Sequence, residues 1–118
     1  MTTAPSGVEL EMWVEEWGPA QPVPFGPFND TNDHEIARGR YKLDGISARN
    51  AGSAAVTVRV TDGASDNALD LIDLQVPAGE AANAAVGTSG ATCERSLTVS
   101  LSAAESTTGT LLVRLPRR

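Results

Sequence analysis

Cysteine, histidine and lysine each occur once in this chain, and only five of its 118 residues are aromatic. Each scarcity excludes something. A lone Cys93 can form no intrachain disulfide and has no thiol company for a metal. Its expected role is that of a small buried residue in a strand. One histidine, His34, and one cysteine cannot assemble the usual nucleophile–base–orienter sets. Ser65-Asp66-Asn67 spells the serine–aspartate–asparagine element of β-lactamases, but no Ser-x-x-Lys accompanies it and Lys42 is the only lysine, so the match reads as chance. Zinc-ligand spacing and a phosphate-cradling glycine loop are both lacking. No apolar run approaches the ~18 residues that span a bilayer. The first residues, Met-Thr-Thr-Ala-Pro-Ser-Gly, have neither the basic nor the apolar region of a secretory signal. The expectation is a protein that is not an enzyme, uses no cofactor and binds no metal. A net charge of −6 disfavours nucleic acid and anionic membrane as partners.

The most local absence is of basic residues. The first 37 residues contain no Lys or Arg, yet they carry seven acids: Glu9, Glu11, Glu15, Glu16, Asp30, Asp33 and Glu35. They also hold Trp13, Trp17, Phe25, Phe28 and five of the seven prolines. From Arg38 onward all nine basic residues appear against eight acids, and Tyr41 is the only aromatic. The chain therefore divides into an acidic, aromatic, Pro-rich arm at 1–37 and a domain at 38–118. Within the arm, residues 7–17 fit two patterns. As a strand, Val8, Leu10, Met12 and Val14 alternate with Glu9, Glu11, Trp13 and Glu15. As a helix, Leu10, Trp13, Val14 and Trp17 form a stripe, with Ser6 and Glu9 as a capping box and Gly18-Pro19 as the stop. The acids at its negative end and the β character of the rest favour the strand. Residues 18–37 lack a hydrophobic period and contain Pro19, Pro22, Pro24 and Pro27, so an irregular, polyproline-like course is expected there. The four large aromatics have two readings. They plug an open end of the domain, or they anchor a protein interface, where Trp and Phe are enriched. The uncompensated acids call for a partner surface rich in Arg or Lys.

Beyond the arm the pattern is a string of short strands. Residues 40–49 alternate through Tyr41 and Leu43, then change phase to Ile46 and Ala48, which places a bulge at Asp44-Gly45. Asn50-Ala51-Gly52 turns the chain. Val56, Val58 and Val60 then alternate with Thr57, Arg59 and Thr61. Asp62-Gly63 opens a loop, residues 69–76 are apolar on both phases and so central or bulged, and Pro77-Ala78-Gly79 turns again. Residues 80–86 form a weak Ala-rich strand. Leu97, Val99 and Leu101 mark another, and Leu111, Val113 and Leu115 the last. Turn signals every 8–12 residues between short β runs indicate an all-β fold, an antiparallel β-sandwich of jelly-roll or Ig-like type with an extended N-terminal arm. Val56, Val58, Val60, Leu97, Val99, Leu101, Leu111 and Val113 are its expected core. Asn29–Glu35 is dense in oxygen donors, but it lacks the glycine and glutamate placement of a calcium loop and reads as a solvated turn or a polar patch facing a neighbour.

The stretch RGRYKLDGISARNAGSAAVTVRVTDG, followed by an apolar strand and Val76-Pro77-Ala78-Gly79, resembles small virion proteins of tailed bacteriophages. The shared features are the Asn50-Ala51-Gly52 strand end, the Val/Thr strand leading to Asp62-Gly63, and the Val-Pro-Ala-Gly turn. The resemblance covers about a third of the chain and excludes the acidic arm. It implies a β-sandwich decoration (cement) protein located on the virion, assembled in the host cytoplasm, attached to a major capsid protein and arranged as a homo-oligomer such as a trimer. A tail-associated adhesion or carbohydrate-binding module is the alternative, since stacked aromatics also bind sugars. Trp13, Trp17, Phe25 and Phe28 are the candidate interface residues.

Overall fold

Val, Thr, Leu and Ile alternating between Gly/Pro/Asn turns fix the local structure as strands. The computed structural model describes residues 17–64, 68–87 and 90–116. Among them it contains nine strands and no helix: β1 (Gln21–Phe28), β2 (His34–Arg38), β3 (Tyr41–Asn50), β4 (Val56–Asp62), β5 (Leu69–Val76), β6 (Ala81–Ala85), β7 (Ala91–Cys93), β8 (Ser96–Leu101) and β9 (Thr107–Arg114). They form two antiparallel sheets. The first has the order β1-β9-β3-β6, with β7 also on β3, and the second has the order β2-β8-β4-β5. β6 and β7 pair with successive stretches of β3 and occupy one strand position between them. Counted so, there are eight positions, and the two four-stranded layers have the winding of a jelly roll. Of the two sandwich types expected from the sequence, this is the jelly roll.

The core forms where the inward phases of both sheets meet. Val56, Val58, Val60, Leu97, Val99, Leu101, Leu111 and Val113 are all at most 3% exposed, and Leu43, Ile46 and Val76 complete the same cluster. Thr57 and Arg59 lie on the other phase, as the alternation requires, but Thr61, expected outward with them, is 7% exposed and donates to Gly63 O, where the β4–β5 register shifts after Val60. The β3–β9 register slips between Leu43 and Gly45. That is the bulge expected at Asp44-Gly45, and it lets Leu43 and Ile46 both point inward despite their odd spacing.

One expectation gives way. Residues 18–37 are not an irregular arm, and the division at residue 37 does not hold. β1 is an edge strand on β9, and β2 is an edge strand on β8. The prolines exclude a central strand only. An edge strand needs every second N–H for its single neighbour. Pro22 and Pro24 share a phase, so both can occupy positions where an N–H would face solvent. Their missing donors also blunt the open edge against further pairing. Of the two expectations for β5, central or bulged, the bulge is found, as a register shift opposite Val60 and Thr61, and the strand lies at an edge. The strand or helix weighed for residues 7–17 lies outside the described residues except at Trp17, as do Ser65-Asp66-Asn67.

Candidate functional site

Among the described residues, the aromatics proposed as anchors fall in two places, Phe25 with Phe28 on β1 and Trp17 beyond the end of β9. Phe25 is 3% exposed and belongs to the core. It stands opposite Gly109 on β9, where any Cβ would run into its ring. Phe28 is half-buried and stacks on His34, with ring centroids 3.8 Å apart and planes within 6°. Phe25 is thus part of the core, and Phe28 packs partly buried against it. Trp13 lies outside the described residues. Trp17 remains a candidate. It bridges to Pro116 just past the end of β9, and Gly18 N–H donates to Leu115 O at 2.8 Å. Its ring is approached by two cations, Lys42 Nζ at 5.1 Å and the Arg40 guanidinium at 5.8 Å from the centroid. Contacts of this kind are attractive because the ring face is electron-rich.

Lys42 stands directly opposite Arg114 across the β3–β9 ladder. Both alternate with buried neighbours, Leu43 and Val113, so both lie on the outer face of the first sheet. Arg114 Nη2 donates to Asp44 Oδ1 at 2.7 Å, while its Nε is buried without an acceptor among the described residues. Lys42 has no ion pair among the described residues. Beside this cationic end runs a shallow trough of about 420 Å³ lined by Gly45, Ser47, Asn83, Ala85, Thr110 and Leu112. It is uncharged except where Asp44 meets Arg114, and Leu112 is 41% exposed in it. The outer face of the second sheet is different. Arg59 pairs there with Asp73 at 3.1 Å and Asp70 at 3.8 Å, and Arg38 with Glu35 at 3.2 Å. These exposed pairs keep that face solvated and contribute little stability.

The polar clusters inside the fold hold the chain to itself. Asp62 is 3% exposed. Its Oδ1 accepts the N–H groups of Arg95 at 2.8 Å and Ser96 at 3.2 Å and the Cys93 thiol at 3.3 Å, and its Oδ2 accepts Glu94 N–H at 2.9 Å. Burial pushes this carboxyl up, but the donors together outweigh burial and hold it below its ordinary value. Cys93 is buried in β7, as expected. Burial first, then the Asp62 carboxylate, pushes its thiol up to about 12, so it is a poor nucleophile. In the oxygen-rich turn, Asp30 Oδ1 accepts Asn32 N–H at 3.0 Å and meets His34 Nε2 at 2.7 Å. The His34 hydrogen bond, then the Asn32 one, lowers the Asp30 carboxyl. Among the described residues no group of three or more His, Cys, Asp or Glu could hold a metal ion.

The sequence reading passed over both the Lys42–Arg114 end and Asp62. Lys42 precedes the buried Leu43 and Arg114 follows the buried Val113, the alternation that puts each on the outward phase of its strand. Asp62 continues the inward phase of Val56, Val58 and Val60. No family model, curated protein or solved structure matches this chain.

Proposed function

We propose that this chain is a non-enzymatic structural protein of a virus particle: a jelly-roll decoration protein that attaches, through the acidic leader ending at Trp17, to a major capsid protein. The observation that carries the reading is the placement of Trp17. It is held at the end of β9 against Pro116, Arg40 and Lys42. The sixteen residues before it contain four acids, Trp13 and no basic residue, and they start from a rigid point on the sandwich. A strand-forming or helical leader with one apolar phase and uncompensated glutamates has the composition of a docking element. The jelly roll is used by viral capsid and lectin domains alike, which is fold-level analogy and gives only a background. The carbohydrate-binding alternative wants an exposed aromatic platform. Phe25 is buried and Phe28 is covered by His34, which takes away two of the four rings that reading used.

The test is direct. Phage particles from the source that encodes this chain are purified through two density steps, and the chain is quantified by mass spectrometry relative to the major capsid protein. A fixed stoichiometric ratio is expected. Absence from the particles, or trace amounts that vary between preparations, overturns the proposal.

A further inference from the structure

We propose that the open edge of β5 pairs, antiparallel, with β5 of a second copy, so that the second sheets of two sandwiches run on as one. The contact involves described strands alone and depends neither on the leader nor on the capsid reading. Three observations carry it.

The first is that β5 is the one long, unguarded edge among the described strands. An exposed edge offers unpaired N–H and C=O groups to any strand that reaches it. β1 is guarded by Pro22, Pro24 and Pro27. β2 has five residues and a register shift between Glu35 and Ala37. β6 and β7 have five and three residues and share one position. β5 has eight residues with no proline, glycine or lysine, and its register is regular from Ile72 to Val76. Its acids, Asp70 and Asp73, pair with Arg59 of their own sheet.

The second is the direction of the backbone groups. Thr57 N–H donates to Ser102 Oγ at 2.8 Å, and Thr57 O accepts Ser102 N–H at 3.0 Å. Thr57 therefore turns its polar groups to β8 and away from β5. Opposed residues of an antiparallel ladder alternate between pairs that bond each other and pairs that both turn away. Gln75, opposite Thr57, thus aims its N–H and C=O off the open edge, and so does Asp73, opposite Arg59.

The third is that this edge complements itself. A two-fold axis at Leu74 sets Asp73 of each copy opposite Gln75 of the other. Each such pair exchanges two backbone hydrogen bonds and puts a carboxylate beside an amide on the outer face. On the inner face Leu74 meets Leu74, and Ile72 meets Val76. An axis at Asp73 would oppose two carboxylates, which is destabilising. An axis at Gln75 would set Asp73 against Pro77, which has no N–H to give. The strand's own sequence therefore selects one register. The contact is isologous and makes a dimer, where the resemblance to virion proteins implies an oligomer such as a trimer.

The experiment uses the full-length chain in about 50 mM salt, where charges are weakly screened. Sedimentation equilibrium and amide hydrogen exchange are followed from about 10 μM to about 1 mM protein, the affinity range of a small contact. A dimer is expected, with exchange at Asp73 and Gln75 slowing as it forms and exchange along β6 unchanged. Three variants then alter Gln75, whose side chain is exposed. Gln75→Pro gives β5 the guard that β1 has. It removes no bond to β4, but it removes the Gln75 donor from both copies and should weaken the dimer about tenfold. Gln75→Glu, set against Asp73 of the other copy, should weaken it about fivefold, and Gln75→Lys should strengthen it by a similar factor. Urea melts check folding. If the proline variant does not fold, the two charge variants decide, because a merely structural effect would not give them opposite signs. A chain still monomeric at the highest concentration overturns the inference. So does a dimer indifferent to Gln75, or protection gained along β6 instead. Asp73 and Gln75 amides already protected in the dilute monomer would also overturn it, since the chain would then cover this edge itself.

Discussion

At the scale of single residues, the fold depends on a few buried polar groups that each satisfy several partners. Asp62 is the clearest. Its carboxylate collects three backbone N–H groups and a thiol at the β7–β8 turn, so Asp62→Ala leaves several partly buried donors unmet. We expect a loss of about 3 kcal/mol in urea unfolding, a large share of the roughly 5–10 kcal/mol such a domain has. An unchanged midpoint would show that water replaces the carboxylate at no cost. The pH dependence has a definite sign. Because the folded carboxyl sits below its ordinary value, its contribution is present above about pH 4, the unfolded value. It is lost as pH falls through the lower folded value. Stability should therefore drop between about pH 5 and pH 2, and Asp62→Asn should flatten part of that slope. An equal slope in both proteins would assign it to other carboxyls. Cys93, with its thiol pushed up to about 12 and no exposure, should react with a disulfide reagent only on unfolding. Labelling at the rate of a free thiol in native buffer would contradict its burial. These residues were partly legible. Cys93 fell in a β run, and Asn50 fell at a turn, where its side chain accepts Gly52 N–H at 2.8 Å and donates to Ala54 O at 2.7 Å. Asp62 was read as the opening of a loop, because a buried acid is recognisable only once its donors, thirty residues further on, are known.

At the scale of elements, alternation revealed the central strands and missed the proline-bearing β1, the polar edge strand β2 and the three-residue β7. β3, β4, β8 and β9 were readable because one apolar phase repeats every second residue and central strands bury it. β1 was not, because Pro22, Pro24 and Pro27 mask a phase carried by Val23 and Phe25 and resumed, after a register shift, by Phe28. Whether such a run pairs at all depends on a distant partner, here the strand ending at Arg114. The pairing has a local lock. Phe25 lies over Gly109, which has no side chain to displace it. Phe25→Ala should cost about 3–5 kcal/mol, as for other buried aromatics. Gly109→Val should destabilise by a comparable amount, since its side chain and the Phe25 ring compete for one space. The two changes together should cost somewhat less than the sum of each, because removing the ring relieves one of the two clashes a Cβ meets here, while the clash with the Ser47 carbonyl oxygen remains. Additive urea midpoints would mean that the ring does not rest on this glycine.

At the scale of the whole molecule, the jelly roll ties the two ends of the described chain together: Gln21 pairs with Val113, and Trp17 with Pro116. The position of the leader's boundary then has opposite consequences for two deletions only twelve residues apart. Removing residues 1–16 takes away none of β1–β9 and none of the core residues found among the described ones. The truncated chain should unfold in one cooperative transition, with a urea m-value within error of the full chain, because m follows the surface exposed by the folded domain. Its attachment to particles should fall sharply, since it lacks Trp13 and four of the acids. Removing residues 1–28 deletes β1 with Val23, Phe25 and Phe28, uncovers Gly109, and leaves β9 as an unblunted edge without prolines. That chain should be aggregation-prone and should lose most of its near-ultraviolet signal and cooperativity. The sequence placed the division at residue 37, where the charge balance changes. Charge composition marks which surfaces meet partners, whereas pairing decides which residues belong to the fold, and the two boundaries need not coincide. If both truncated chains unfold alike, the leader is integral to the sandwich and the attachment reading fails. If both remain cooperative, β1 is dispensable and the division lies where composition alone would put it.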